Sequence, residues 1–108
     1  MSINGSDRED GKAEIGAYGE LTVGATAVEA KVGGSALAGR TYISVMPKDN
    51  SIYYGFDASV TTTTGTRIFK NQLLILPLDA ALPLYLIADA AGKKVSVTEM
   101  GNDPEGDL

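Results

Sequence analysis

The feature that most constrains the fold of this chain is a two-residue alternation of apolar and polar side chains between residues 21 and 98. In residues 41–46, for example, Ile43 and Val45 fall on one face, whereas Tyr42 and Ser44 fall on the other. Successive side chains of a β-strand point to opposite faces, whereas an amphipathic helix repeats every 3.6 residues. The one alanine-rich run, residues 79–82, is cut by Pro83, which a helix interior does not tolerate. The pattern therefore predicts strands and no helix.

Turn-forming residues cut this region into about six to eight short strands. We expect strands in residues 21–32, as one long strand or two short ones, and in residues 41–46, 51–56, 72–77, 84–88 and 94–99. Residues 47–50, Pro-Lys-Asp-Asn, are expected to join two of these strands in a hairpin, and residues 91–93 to form the last turn. Such spacing is typical of an antiparallel β-sandwich or a small jelly-roll-like barrel. We therefore predict an all-β fold of one of these two kinds.

Two of the expected strands are apolar on both faces. Residues 73–76 read Leu-Leu-Ile-Leu and residues 84–88 read Leu-Tyr-Leu-Ile-Ala, although the outer faces of a small sandwich normally meet water. Either a loop or arm of the same chain covers them, or they lie in an interface between subunits. We favour the interface, because soluble monomers rarely expose large apolar patches. This hypothesis assigns self-association, in a homodimer or homotrimer, to Leu74, Ile75, Leu76, Leu84, Leu86 and Ile87.

Charge divides the chain into three segments. Among its 108 residues, 14 Asp and Glu outweigh nine Lys and Arg, which gives a formal net charge of −5. Residues 1–20 carry five acids and two bases, residues 99–108 carry four acids and no base, and residues 21–98 carry five acids and seven bases. Segments as polar as these ends rarely fold alone. We therefore predict an extended acidic N-terminal arm (1–20), one β-sandwich domain (21–100) and an acidic C-terminal tail (101–108).

The composition removes most catalytic chemistry. The chain has no cysteine and no histidine, which excludes thiolate and imidazole metal sites, Ser-His or Cys-His catalysis, and disulfides. Four aspartates stand alone beside turn residues: Asp49, Asp57, Asp79 and Asp89. A turn role explains each of them, and no paired carboxylates point to acid–base catalysis or to a calcium site. We therefore expect no enzyme activity, no catalytic residue, no metal and no cofactor.

Tyr53 and Tyr54 are the candidates for a surface contact. Adjacent positions of a strand point to opposite faces, so one of the two rings should face outward, where a tyrosine can stack on a sugar. Packing of the ring with a solvated hydroxyl is the commoner role of a half-buried tyrosine. A carbohydrate-binding sandwich is therefore kept as an alternative function.

The negative charge also bears on partners. It is opposite to the basic surface of a nucleic-acid-binding protein, so no nucleic acid partner is expected. The longest nearly uncharged stretch, residues 73–88, contains Pro77, Asp79 and Pro83 and is too broken to span a bilayer as a helix. The polar start lacks the features of a secretory signal. We therefore expect no membrane partner and synthesis in the cytosol.

An ordered series of short motifs covers residues 39 to about 100. These motifs are Gly39-Arg-Thr-Tyr-Ile-Ser-Val, Ser51-Ile-Tyr-Tyr-Gly-Phe-Asp, Val60-Thr-Thr-Thr-Thr-Gly, Phe69-Lys-Asn-Gln, Ile75-Leu-Pro, Leu84-Tyr-Leu-Ile-Ala and a final Val-x-Val-x-Glu strand. In this order they resemble a group of small tailed-bacteriophage virion proteins of the head-decoration, minor structural or head-fibre type. Residues 1–38 lie outside the resemblance.

The resemblance implies a non-enzymatic structural protein, made in the bacterial host cytoplasm and located on the capsid surface of the virion. A capsid decoration (cement) protein of this type would oligomerise on the outer lattice, bind the major capsid protein and stabilise the shell. A tail, neck or fibre-base component is the alternative within the virion. Acidic arms would face basic capsid patches and steer the approach more than they add affinity.

Overall fold

A computed structural model describes residues 14–103 as a sandwich of two antiparallel β-sheets. The strands are β1 (Ile15–Val23), β2 (Val28–Glu29), β3 (Arg40–Pro47), β4 (Ile52–Gly55), β5 (Thr66–Ile68), β6 (Leu74–Pro77), β7 (Tyr85–Ile87) and β8 (Lys93–Gly101). Sheet A has the strand order β1-β8-β3-β6, and sheet B has the order β2-β7-β4-β5. Residues 14–103 contain no helix. The predicted all-β antiparallel sandwich is thus confirmed.

The core lies between the two sheets and follows the sequence alternation. Along β3 and β8, every second side chain is buried, so each strand has one side in the core. β-Branched residues supply most of the sheet A side, where they fit the pleated surface. The core members are Val23, Ala30, Ile43, Val45, Ile52, Ile68, Leu78, Leu84, Leu86, Ala88, Val95 and Val97.

The hairpin expected around residues 47–50 does not form. β3 pairs with β6 and β8, whereas β4 pairs with β5 and β7, so the short connection carries the chain from sheet A to sheet B. The end of β3 stays within sheet A, because the carbonyl of Pro47 accepts from Asn71 N and Lys48 N donates to Lys94 O. The apolar sides of β3 and β4 then face each other across the core. A local turn pattern could not distinguish this crossing from a hairpin.

The segment boundaries also differ from the expectation. β1 begins at Ile15, inside the segment expected to be an acidic arm, because nine residues of β8 supply a continuous antiparallel partner for residues 15–23. Residues 21–32 contribute to two strands in different sheets, β1 and β2. β5 was not expected, since three residues carry too little alternation to read. Most of the predicted arm and tail, residues 1–13 and 104–108, lies outside the described residues.

One end of the core is closed by a buried ion pair between Arg40 and Glu99. Arg40 Nη1 donates to Glu99 Oε2 at 2.9 Å, and both side chains are almost completely buried. A β-bulge between Arg40 and Tyr42 shifts the alternation of β3, which directs Arg40 toward the inside. Glu99 faces inward in phase with Val95 and Val97.

The remaining hydrogen-bonding capacity of the pair holds two loops. Glu99 accepts from Val32 N at 2.9 Å and from Leu37 N at 3.0 Å. Arg40 donates to the carbonyls of the second loop, Leu78 O, Asp79 O and Leu82 O, at 3.2, 3.2 and 2.9 Å. Buried charges are tolerated when they are paired and hydrogen-bonded in this way. The pair therefore fixes the loops of residues 30–39 and 78–82 to sheet A.

Candidate interaction surface

On the outer side of sheet B, Val60 of the chain's own loop, residues 57–65, packs against the backbone of β4. Tyr53 lies opposite Ile87 and Gly55 lies opposite Tyr85, and this side faces away from the core because the alternate residues belong to the core cluster. Ile87 is nevertheless only 8% exposed, although it is not part of that cluster. A second, smaller apolar layer must therefore lie outside sheet B.

Val60 forms this outer layer together with two glycines. A Cβ added at Gly55 would stand 2.7 Å from Val60 Cγ2, and one added at Gly65 would stand 2.9 Å from the same atom. The second hypothetical Cβ would also lie 3.0 Å from Tyr53 Cβ. Both glycines thus allow the loop to approach the strand backbone, and Val60 is 7% exposed there.

The loop itself is held by local hydrogen bonds. Thr61 Oγ1 accepts from the backbone N–H groups of Thr63 and Thr64, and Thr64 Oγ1 accepts from Thr61 N. Ser59 donates to the Asp57 carboxylate through its backbone N–H and its hydroxyl. These two hydrogen bonds lower the pKa of Asp57 below its usual value. The threonine run is therefore a turn structure.

The outer side of sheet A has no such cover within residues 14–103. We call this surface the open face. It is formed by the outward side chains of four strands, Tyr18, Tyr42, Ser44, Met46, Ile75, Pro77, Ser96, Thr98 and Met100. Tyr18 is 84% exposed and Ile75 is 54% exposed, at opposite edges of the sheet.

Strand register arranges the open face in rows. One row runs Tyr18, Thr98, Ser44, Ile75 across the four strands, with small polar side chains in the middle and large ones at the edges. The neighbouring row begins at Gly16 and places Met100, Tyr42 and Pro77 side by side. Neither row contains a charged residue. The nearest charged residue on this side of β1 is Glu20, in the next row, where its Oε2 atom pairs with Lys48 Nζ at 3.0 Å.

The six residues assigned to self-association separate into three environments. Leu84 and Leu86 are fully buried in the core, and Ile87 is buried on the outer side of sheet B. Leu74 and Leu76 are partly buried against the core from sheet A. Only Ile75 faces outward with most of its side chain exposed. The self-association hypothesis therefore depends on Ile75 and its neighbours on the open face.

Tyr53 and Tyr54 point to opposite sides of β4, as their adjacent positions require. Tyr54 packs against the core and its ring makes an edge contact with Phe56, with centroids 6.0 Å apart and planes at 75°. Tyr53 lies on the outer side, next to the Gly65 turn, and is half-buried. The structure therefore places neither ring on the open face.

Two of the aspartates considered for chemistry accept hydrogen bonds from the backbone. Asp49 Oδ2 accepts from Lys94 N at 2.9 Å and Asp79 Oδ1 accepts from Ala81 N at 2.8 Å, so both serve turns or chain crossings. Within residues 14–103, no three acidic side chains come together in a group that could hold a metal ion. Within the same residues, no helix is long and apolar enough to cross a membrane.

Sequence reasoning missed the residues that make the open face, Tyr18 and Met100 among them. The alternation of residues 41–46 already places Tyr42, Ser44 and Met46 on one side of a strand. It does not tell which strands lie beside it, and so the continuity of the face is invisible before the sheet order is known. Tyr18 was assigned to the arm, and its position in β1 follows only from pairing with β8.

No protein-family model, curated protein or solved structure matches this chain.

The sequence motifs quoted above have structural roles in this fold. The arginine and the final glutamate are the buried pair Arg40 and Glu99. The glycine of Ile-Tyr-Tyr-Gly and both ends of Val60-Thr-Thr-Thr-Thr-Gly65 meet where Val60 packs on Gly55 and Gly65. These motifs therefore specify contacts within the fold.

Proposed function

We propose that this chain is a non-enzymatic structural protein of a phage virion, a capsid decoration protein that binds the major capsid protein through the open face. The observation that carries the proposal is the uncharged row from Tyr18 to Ile75 on sheet A, which no other part of residues 14–103 covers. The row has exposed large side chains at its two ends, Tyr18 and Ile75, and small polar side chains between them, so a partner can cover it without burying a charge. The resemblance of the motifs to small virion proteins supplies the class of partner.

The size of the open face favours a partner that offers many equivalent sites. Four strands about 4.8 Å apart and three rows about 7 Å apart, the third row being Glu20, Ser96 and Met46, span roughly 400 Å². A stable one-to-one interface uses about 800 Å² per partner. One open face alone would therefore bind weakly, whereas several copies joined on a repeating lattice gain affinity through avidity.

Copy number in the virion tests this function. Particles of the phage that encodes the chain are purified, and the chain is quantified against the major capsid protein by mass spectrometry. A decoration protein is expected at hundreds of copies per particle. A dozen copies or fewer would replace decoration by a neck, tail or fibre-base role, and absence from particles would overturn the virion proposal.

A second experiment locates the contact. Shells that lack the chain are incubated with purified Ile75→Glu protein, and binding is measured by co-sedimentation. Because Ile75 is 54% exposed, the charge should leave the fold intact while weakening binding to shells about tenfold or more. Thr63→Glu, on the exposed loop outside sheet B, is the matched control and should bind like the unaltered chain. Equal binding by both variants would remove the open face from the contact.

A further inference from the structure

Within residues 14–103, the two sheets have four edge strands, and β1 differs from the other three. β2 has two residues, β5 has three, and β6 has four and ends at Pro77. Short edges and proline are the usual means by which proteins block unwanted strand pairing. β1 has nine residues and no proline, and its one charged side chain, Glu20, is already paired with Lys48.

The hydrogen-bond phase of sheet A shows which backbone groups of β1 face outward. Lys48 N donates to Lys94 O, and the direction of backbone hydrogen bonds alternates from residue to residue along a strand. Every second residue of β8, counted from Lys94, therefore bonds to β3. The intervening residues of β8, such as Val95 and Val97, therefore bond to β1, where they lie opposite Leu21 and Gly19. The alternate residues of β1 direct their N–H and C=O groups away from the sheet. They are Gly16, Tyr18, Glu20 and Thr22.

We propose that β1 pairs antiparallel with β1 of a second copy, about a two-fold axis at Gly19. In this register Tyr18 lies opposite Glu20 of the other copy, and Gly16 lies opposite Thr22. The two-fold axis repeats both pairs, which gives four hydrogen-bonded pairs. Each pair of an antiparallel ladder exchanges two hydrogen bonds, so the interface has about eight. That number lies within the usual range for a specific interface, about ten with a spread of five.

Two neighbouring registers fit less well. An axis at Glu20 would place the two Glu20 side chains directly opposite each other, and like charges in that position are destabilising. An axis at Tyr18 would leave the end of β1 at Val23 without a partner strand, because β1 begins at Ile15. The Gly19 axis pairs all nine residues and brings the two exposed Tyr18 rings into diagonal reach.

The pairing would also enlarge the candidate interaction surface. The outward residues of both β1 strands point to the same side, so two open faces join on one continuous eight-stranded sheet. The combined surface of roughly 800 Å² per dimer reaches the size of a standard interface. The pairing itself follows from β1 alone, so its failure would leave the proposed capsid contact standing.

Cysteine cross-linking tests the axis, because the chain contains no cysteine of its own. In the proposed register the two Gly19 residues form a non-hydrogen-bonded pair, with Cα atoms about 4.5 Å apart, which suits a disulfide. A Cβ at Gly19 meets Val32 Cγ1 at 3.4 Å, and one at Gly16 meets Glu99 O at 3.5 Å, so the fold accommodates both. Gly19→Cys should form a covalent dimer on mild oxidation, and Gly16→Cys, far from its own copy, should not.

The full-length chain should also show, by analytical ultracentrifugation, twice its 11.2 kDa mass. Tyr18→Pro removes one outward N–H from each copy without touching the bonds to β8, and should raise the dimer dissociation constant about tenfold or more. Ile75→Pro, at the opposite edge of sheet A, is its control and should leave the dimer intact.

Three results would overturn the proposal. The first is a monomeric mass at all concentrations, which would include the case in which residues 1–13 of the same chain occupy the β1 edge. The second is equal cross-linking of Gly19→Cys and Gly16→Cys. The third is loss of the dimer in Ile75→Pro but not in Tyr18→Pro, which would move self-association to β6.

Discussion

β6 and β7 have the same sequence character, apolar on both sides, but they have different surroundings in the structure. β7 is an inner strand of sheet B, and Ile87 on its outer side is 8% exposed, on the side where Val60 packs on Gly55 of the neighbouring strand β4. β6 is an edge strand of sheet A, and Ile75 on its outer side is 54% exposed. One sequence pattern thus marks a second internal layer in one sheet and a candidate contact surface in the other.

The difference arises from the loops that lie near each strand. The loop of residues 57–65 comes directly after β4, the neighbour of β7, and two glycines let it lie close to that strand. Residues 14–103 supply no equivalent loop over sheet A. An apolar strand therefore indicates a surface to be covered, and the local geometry decides whether the same chain covers it.

The largest effect on stability is expected from breaking the buried ion pair of Arg40 and Glu99, which holds two loops to sheet A. Glu99→Ala leaves the buried Arg40 guanidinium without its carboxylate and frees Val32 N and Leu37 N. Removing one partner of a buried ion pair costs about 3–5 kcal/mol. We expect that loss in the free energy of unfolding, measured by urea denaturation. Glu20→Ala, which breaks an exposed pair, should change it by less than about 1 kcal/mol, and similar losses for both would show that the buried pair is not a structural support.

The next effect tests the comparison between β7 and β6 directly. Ile87→Asp places an unpaired carboxylate at a position that is 8% exposed and should cost about 3 kcal/mol of stability. Ile75→Asp places the same group in solvent and should change stability by less than about 0.5 kcal/mol. Thermal and urea unfolding of both variants give the two numbers. Equal losses would mean that the open face is covered in the protein as it exists in solution.

The smallest effect comes from loosening the cover of sheet B. Gly65→Ala would bring a methyl group within 2.9 Å of Thr61 O and of Val60 Cγ2, and should cost about 1–2 kcal/mol. Amide exchange should rise in residues 57–65 and at Ile87 while sheet A stays protected. Gly34→Ala, where an added Cβ meets nothing within 4 Å, is the control. Uniform faster exchange in both sheets would contradict a separable outer layer.

The sequence predicted the fold class and most strand positions, because alternation reports directly on which side chains can face a core. It failed at the turn of residues 47–50, where the same turn residues fit a hairpin or a crossing between sheets. The sequence also did not predict the ion pair of Arg40 and Glu99. These residues are 59 positions apart in the chain and meet only because β3 pairs with β8. Of the open face, the sequence predicted only Ile75 as a contact residue. The other outward residues could be assigned to the same face only once the strand order was known.

The amino-acid sequence by itself determined that this chain forms strands, that it offers no thiol or imidazole chemistry, and that two strands are apolar on both sides. These are local properties, set by side-chain type and by a period of two. The tertiary structure alone decided that Ile87 on β7 is buried, that Ile75 on β6 is exposed, and that β1 is a nine-residue edge strand within residues 14–103. Cover and exposure depend on contacts between residues far apart in the chain, and a one-dimensional pattern does not specify those contacts.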